Sequence, residues 1–306
     1  MTATDPVQRP AGAPIDAVPL RHPGRWAGAV AVLIVAGLFL YGAATNPAYG
    51  WKTFAKYLFD IRVSQAALRT VELTVVAMII GLVLGVILAV MRLSPNPVFR
   101  WVSWVYLWIF RGTPVYIQLV FWGLFPTIYR KISLGIPFGP TFFHLDMQGL
   151  NFAFGLACIG LGLNEAAYLA EIIRAGITSV PEGQVEASTA LGMSWGMTMR
   201  RTVLPQAMRV IIPPTGNELI SMLKTTSLVT AVPYTLELYT RTRDISAVIF
   251  EPIPLLMVAA TWYLAITSVL MIGQHYLERY FSRGASRELT GRQLAALARA
   301  QMETHL

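Results

Sequence analysis

Six long runs of apolar residues restrict this chain to folds that cross a lipid bilayer. A transmembrane helix needs about 20 mostly apolar residues. The runs cover residues 26–44, 73–91, 113–128, 147–164, 210–232 and 252–277. Charged residues occur only in the fifth run, which contains Glu218 and Lys224. Because the runs exceed strand length and do not alternate, the sequence predicts an all-α membrane protein with six transmembrane helices.

Composition and charge support a membrane protein rather than a nucleic-acid-binding one. Charged residues make up 13% of the chain, against about 25% in a soluble domain. The net charge of +8 is explained by basic residues next to the spans. With the N-terminus inside, the inner segments hold the majority of the Lys and Arg residues, so we expect both termini in the cytoplasm and no nucleic-acid partner. The lone cysteine, Cys158, excludes an intrachain disulfide and is expected to be a packing residue.

The first run admits two interpretations. Arg21 and Arg25 precede it and small residues close it, as in a secretory signal peptide. Its length favours a retained helix over 26–44, and cleavage would leave five helices in the same orientation. We predict a disordered cytoplasmic tail over 1–25 and a second cytoplasmic tail over 278–306.

A long inner loop joins the fourth and fifth runs. Ser179 followed by Glu182 fits a capping box, with Pro181 in the first turn. Gly192 stands where a left-handed residue would end this helix. Ser194 can cap a second helix. The pattern predicts two short helices separated by a tight turn, which is more than a plain connection requires.

This loop resembles that of the permeases of binding-protein-dependent ABC importers. Their signature is Glu-Ala-Ala, three residues, Gly, nine residues, Ile, any residue and Leu-Pro. The chain keeps the spacing with Glu186, Ala187, Ser188, Gly192, Thr202, Val203, Leu204 and Pro205. Ser188 replaces the second Ala and Thr202 replaces Ile, so we expect reduced apolar contact at these positions but no loss of role.

Further segments resemble the polar amino-acid branch of that family. They are residues 110–119, 167–177, 204–207 and 223–228, although Thr225 stands where Asp is usual. The likeness covers roughly residues 68–277, which implies a five-helix permease core and makes the first helix an addition. It also implies that a cytoplasmic coupling loop over 178–209 docks onto a separate ATP-binding subunit. The implied coupling residues are Glu186, Ala187, Ser188, Leu191, Gly192, Leu204 and Pro205.

The resemblance implies several partners and a place in the cell. They are ATP-binding subunits, a second permease that is identical or homologous, an extracellular or periplasmic binding protein, and the bilayer of the inner membrane. The chain has no Gly-x-x-x-x-Gly-Lys-Ser/Thr loop, so ATP and Mg are expected on the partner and no cofactor on this chain.

Residues 192–196 match the sequence pattern of a nucleophile elbow, but a predicted helix precedes them instead of the strand that this motif requires. His144 and Asp146 are too few for a metal site, so neither catalysis nor a metal is expected.

Charged and polar residues close to apolar runs are candidates for a substrate path. A charge at the centre of a span costs about 2.5–3.5 kcal/mol, which calls for a reason. We hypothesise that Glu72, Arg111, Thr113 and Lys224 line or border a polar cavity between two permeases. Glu218 and Lys224 lie deeper and need a partner elsewhere or an aqueous cavity. A zwitterionic amino acid would complement these two charges, although structural pairing explains them equally well, and anchoring at the inner surface equally explains Arg111. Glu171 and Arg174 are expected to form an ion pair at a helix end.

The sequence leaves two classes of function open. The favoured one is an amino-acid permease driven by an external ATPase. The alternative is a secondary transporter or channel for small polar solutes, which leaves the inner loop unexplained and for which no internal repeat is evident. The motifs do not identify the amino acid.

Overall fold

The computed structural model describes residues 23–136, 140–146 and 150–281. Its regular elements are, in order, α1 (Pro23–Thr45), a 3-10 turn (Pro47–Tyr49), α2 (Trp51–Leu58), α3 (Ile61–Leu93), α4 (Pro97–Gly112), α5 (Val115–Ile128), β1 (Lys131–Gly135), β2 (Thr141–Asp146), α6 (Leu150–Thr178), α7 (Glu182–Ala190), α8 (Trp195–Thr198), a π-helical segment (Met199–Val203), α9 (Leu204–Thr225), a 3-10 segment (Thr226–Ala231), α10 (Leu238–Ile249) and α11 (Pro252–Phe281). The predicted tail over 1–25, up to residue 22, and the tail over 278–306, from residue 282, lie outside the described residues.

Helix α1 belongs to a separate compact unit that ends at Tyr49. It has 23 residues and is apolar around its whole circumference, since its charged residue Arg25 stands in the first turn. By length and composition it can cross a membrane. The helix contains the predicted extra span over 26–44.

The described parts of the other five predicted runs lie mainly on helices of the second unit, although the fifth run continues past α9 into the 3-10 segment and residues 147–149 of the fourth lie outside the described residues. By length and composition, α3, α6 and α11 can cross a membrane. Helix α5 is apolar but has 14 residues, and α9 has 22 residues with two internal prolines, Pro213 and Pro214. The predicted helical membrane fold is confirmed.

The described residues also include one two-stranded β-hairpin between α5 and α6. Strands β1 and β2 pair antiparallel from Lys131 opposite Asp146 to Gly135 opposite Thr141. β-branched and aromatic residues favour strands, and Gly135 and Pro140 suit the connection between them. The hairpin departs from the predicted all-α structure, because both strands lie between the third and fourth apolar runs.

Among the described elements of the second unit, helices α3 and α6 share the most extensive contact. A Cβ atom added to Gly85 would lie 2.9 Å from Cβ of Leu169, and one added to Gly81 would lie 2.9 Å from Cγ of Glu165. Small residues let membrane helices approach closely. The glycines of α3 therefore bring its backbone against the face of α6 that carries Glu165.

Helix α9 packs on the end of α6 and against α11. Ala207 and Ile211 of α9 are buried in one cluster with Ile173 of α6. Further along α9, Nε2 of Gln274 in α11 donates to the carbonyl oxygen of Pro213 at 2.8 Å. Helix α9 thus connects the loop after α6 directly with the interior of the unit.

Candidate functional site

A cavity of about 620 Å³ opens between the α4–α5 turn, α6 and α9. Its polar lining comprises Arg111, Thr113, Asn164, Glu165, Tyr168, Glu218, Ser221 and Thr225. Three separate stretches of chain therefore contribute functional groups to one space, which no single sequence motif could specify.

The α4–α5 turn at the cavity is held by two amide side chains. Nε2 of Gln118 donates to the carbonyl oxygens of Phe110 and Thr113 at 3.0 and 3.1 Å. Nδ2 of Asn164 donates to the carbonyl oxygen of Phe110 at 3.1 Å and to Oε1 of Gln118 at 3.1 Å. These bonds tie the turn to α6 and fix the backbone that presents Arg111 and Thr113.

Glu165 is the least compensated polar side chain of the cavity. It is 5% exposed, and its Oε1 atom has no hydrogen-bond partner among the described residues. Glu218 reaches the same cavity from α9 and is half-buried. A buried ionised carboxylate without a partner is costly, so a cationic ligand would stabilise this arrangement.

Sequence reasoning did not single out Glu165. The residue directly follows the fourth apolar run, where a charged residue usually indicates the end of a membrane span. Helix α6 instead continues to Thr178, which places Glu165 well inside the helix. The available signal was the continuation of apolar residues beyond it, at Leu169, Ile172 and Ile173.

Arg111 and Thr113, two of the predicted path residues, are brought together at this cavity. The Arg111 guanidinium lies over the Tyr168 ring, 5.5 Å from its centroid, and also borders a neighbouring cavity that includes Arg92 and Glu171. The aromatic face holds the cation at the rim. The cavity thus presents two carboxylates and one guanidinium.

Glu72 and Lys224 occupy other places. Glu72 lines a second cavity of about 380 Å³, where its Oε2 lies 2.6 Å from Nη1 of Arg69. Lys224 is exposed on α9 and lines neither of these two cavities. The predicted Glu171–Arg174 ion pair is present, with Nε of Arg174 3.1 Å from Oε1 of Glu171.

The inner loop forms the predicted helix, but with a different beginning. Helix α7 starts at Glu182 with Pro181 at its N-cap, so the predicted capping box is wrong. The hydroxyl of Ser179 instead donates to the carbonyl oxygen of Gly176 at 2.8 Å. Because α6 extends to Thr178, Ser179 continues its last turn and cannot cap the next helix.

Gly192 ends α7 as predicted. Its φ is 75°, the left-handed region, and its N–H donates to the carbonyl oxygen of Thr189 at 2.9 Å. The N–H of Met193 reaches the carbonyl oxygen of Ser188 at 3.1 Å. These two bonds form a Schellman motif, which reverses the chain after α7.

The second predicted helix of the loop begins at the expected residue and then changes from α-helical to the wider π-helical geometry. Ser194 is its N-cap residue, although its side chain makes no capping bond. Helix α8 continues into the π-helical segment, where the N–H of Leu204 bonds the carbonyl oxygen of Met199. Pro205 follows at once and has no N–H to give, so the widened turn accommodates it before α9 proceeds.

The loop carries large apolar side chains that are exposed and not packed into the protein interior. Leu191 is 82% exposed and Trp195 is 78% exposed. Within α7, described throughout, Ser188 is the one buried residue, while Glu186 and Ala187 are exposed. Leu204 and Pro205 are also exposed. Contiguous exposed apolar side chains mark sites of protein or membrane interaction, so this loop is a candidate for such a site.

Comparisons with known proteins agree with this geometry. Residues 81–283 match the family described as "Binding-protein-dependent transport system inner membrane component". The chain is 63% identical over 289 residues to the arginine transport system permease protein ArgU of Corynebacterium glutamicum, covering 94% of this chain and 90% of that protein. It is 38% identical over 205 residues to the histidine/lysine/arginine/ornithine transport system permease protein HisM of Escherichia coli K12, covering 66% and 81% respectively.

A solved structure supports the same assignment. It is described as an amino acid ABC transporter with histidines, and it aligns with a TM-score of 0.61 at 30% identity over 72% of this chain and 94% of that one. The family match spans the cavity, the loop over 178–209 and the helices between them. The chain belongs to the binding-protein-dependent transport system inner membrane components, and it is a permease subunit of their amino-acid uptake branch.

Proposed function

We propose that this permease carries cationic amino acids of the arginine type through the cavity that contains Glu165 and Glu218. The observation that supports this most directly is the buried Glu165 carboxylate, whose Oε1 has no partner among the described residues. The relatives ArgU and HisM are named for the transport of arginine, and of histidine, lysine, arginine and ornithine.

The charges of the cavity complement those of arginine. Arginine carries two cationic groups and one carboxylate, and the cavity offers Glu165, Glu218 and Arg111. Charge-assisted pairs between guanidinium and carboxylate are frequently bidentate and stronger than neutral hydrogen bonds. An amino acid with a neutral side chain would leave one cavity carboxylate without a partner. This difference would favour binding of amino acids with cationic side chains.

The energy for transport is proposed to come from another chain. ATP and Mg bind the partner ATPase, and the coupling loop over 178–209 docks onto it through α7 and the exposed Leu191 and Trp195. A second permease completes the path across the inner membrane, and a binding protein delivers the amino acid from outside. Neither Glu72 nor Lys224 lines the cavity proposed here. Their contribution to the substrate path therefore stays a prediction.

Ligand competition tests the proposed substrate. Citrulline matches arginine in size but replaces the guanidinium with a neutral urea group. In the purified permease–ATPase complex, we expect arginine to displace labelled arginine about 10- to 100-fold better than citrulline, because a charged hydrogen bond contributes about 1.5–3 kcal/mol. Equal competition by both ligands would contradict the proposal. Uptake that proceeds without any ATP-binding subunit would favour the secondary-transporter alternative.

Cysteine labelling tests the proposed orientation, with both termini in the cytoplasm. Lys131 and Ser194 are both exposed, so labelling at these positions depends on the side of the membrane. In intact cells, a membrane-impermeant reagent should modify Lys131→Cys and leave Ser194→Cys unmodified until the cells are permeabilised. The native Cys158 is buried and is expected to stay unlabelled. The reverse pattern would show that the coupling loop faces outside and would exclude its docking to a cytoplasmic ATPase.

A further inference from the structure

The two positions at which the coupling loop departs from the family signature are in contact with each other. Ser188 replaces an alanine and Thr202 replaces an isoleucine, and their hydroxyl oxygens lie 2.9 Å apart. Ser188 is 5% exposed and is the one buried residue of α7. The expectation of merely reduced apolar contact is therefore incomplete, because the two changes together create a hydrogen bond between α7 and the π-helical segment.

The direction of this bond follows from the proton count. A serine hydroxyl has one proton, and that of Ser188 is donated to the carbonyl oxygen of Gln184 at 2.8 Å. The two hydrogen bonds form together when Thr202 donates to Ser188, which then accepts through its lone pairs. The result is a chain of two hydrogen bonds from the π-helical segment into the backbone of α7.

A second polar contact lies beside the first. Nε2 of Gln206 donates to the carbonyl oxygen of Thr202 at 3.0 Å and lies 3.4 Å from Oε1 of Gln184. Residues Gln184, Ser188, Thr202 and Gln206 thus form one connected polar cluster, here called the clasp. It joins α7 to the element that continues as α9 and reaches Glu218 in the cavity.

We propose that the clasp holds α7 and the beginning of α9 as one rigid body, so that movement of α7 on the ATPase reaches the cavity through α9. This inference rests on the proposed coupling role of the loop. In it, Ser188 and Thr202 are positioning residues, and the hydrogen bond joins two positions that the family signature fills with Ala and Ile. Ser188 is buried, whereas Glu186 and Ala187 stay exposed for docking.

A double-mutant cycle tests the clasp in the reconstituted permease–ATPase–binding-protein complex. We expect Ser188→Ala and Thr202→Val each to lower arginine uptake per ATP hydrolysed about three- to tenfold. This fold-change corresponds to the net free energy of one hydrogen bond. Association with the ATP-binding subunit in a pull-down should not change. The double variant Ser188→Ala/Thr202→Ile, which restores the signature, should return to within about twofold of the wild type, since contacting positions couple.

The matched control is Thr261→Val in α11, whose hydroxyl donates, among the described residues, to the carbonyl oxygen of Met257 in its own helix. It should leave uptake per ATP unchanged. The inference is wrong if the single variants behave like Thr261→Val, or if the uptake loss of the double variant equals the product of the two single losses. Absence of ATP-driven uptake in the wild-type complex would instead contradict the proposed function.

A cross-link tests whether the two segments move as one body. In a Cys158→Ala background, Ser188→Cys and Thr202→Cys place two thiols where the oxygens are 2.9 Å apart, close enough for a disulfide with small adjustments. The oxidised complex should retain most of its ATP-driven uptake, because the pair stays together throughout the cycle. Loss of uptake that reduction restores would show that the segments separate, and would overturn the inference.

Discussion

The variant Glu165→Gln is expected to raise the arginine concentration needed for half-maximal binding about 10- to 100-fold. Glutamine keeps the size of the side chain and removes its charge. A hydrogen bond to a charged group contributes about 1.5–3 kcal/mol, and removal of one ionic partner from a buried pair leaves the other uncompensated. Binding of citrulline should change little, so the preference for arginine over citrulline should largely disappear.

Glu171→Gln provides the matched control for this loss of selectivity. Glu171 lies on the same helix, but its carboxylate is already paired with Arg174 and does not line the cavity with Glu165. Its replacement should leave the arginine preference intact. If Glu165→Gln retains full arginine preference, or if both variants lose it equally, the assignment of substrate recognition to Glu165 is wrong.

The variant Gly192→Val is expected to uncouple the permease from its ATPase while leaving the amount of membrane-inserted protein unchanged. A left-handed conformation costs a residue with a Cβ atom roughly 1–2 kcal/mol, and β-branching makes it a genuine outlier. A Cβ at Gly192 meets no described atom within 4 Å, so the penalty arises from its φ of 75° and not from a clash within the chain. The docking-competent turn should therefore be populated about 5- to 30-fold less.

Two further variants separate backbone strain from added bulk. Gly192→Asn should recover much of the coupling, because asparagine tolerates the left-handed region. Gly196→Ala adds a Cβ to a glycine of α8 that also has open space and no positive φ, and it should be close to neutral. Pull-down of the ATP-binding subunit and substrate-stimulated ATP hydrolysis measure both. Full association and full stimulation in Gly192→Val would show that the turn has no role in coupling.

The amino-acid sequence by itself determined the membrane class, the helices of the six apolar runs and the turn at Gly192. These features depend on local physics. An uncharged run must be helical in lipid because each backbone polar group needs a partner within its own segment. Glycine, which has no Cβ atom, adopts a φ of 75° at the lowest cost. The loop signature also depends on spacing along the chain, so its resemblance to a known family was visible before any contact was known.

Tertiary structure decided which polar residues share a space. Glu165, Arg111 and Glu218 meet at one cavity because the glycines of α3 allow close packing on α6 and because α9 folds back beside it. The predicted path residue Glu72 lies instead at a second cavity, where it pairs with Arg69 one turn away on α3. The capping box at Ser179 gave way to a longer α6. The bond between Ser188 and Thr202 joins residues that are 14 positions apart, and only the reversal of the chain at Gly192 brings these two hydroxyl groups together.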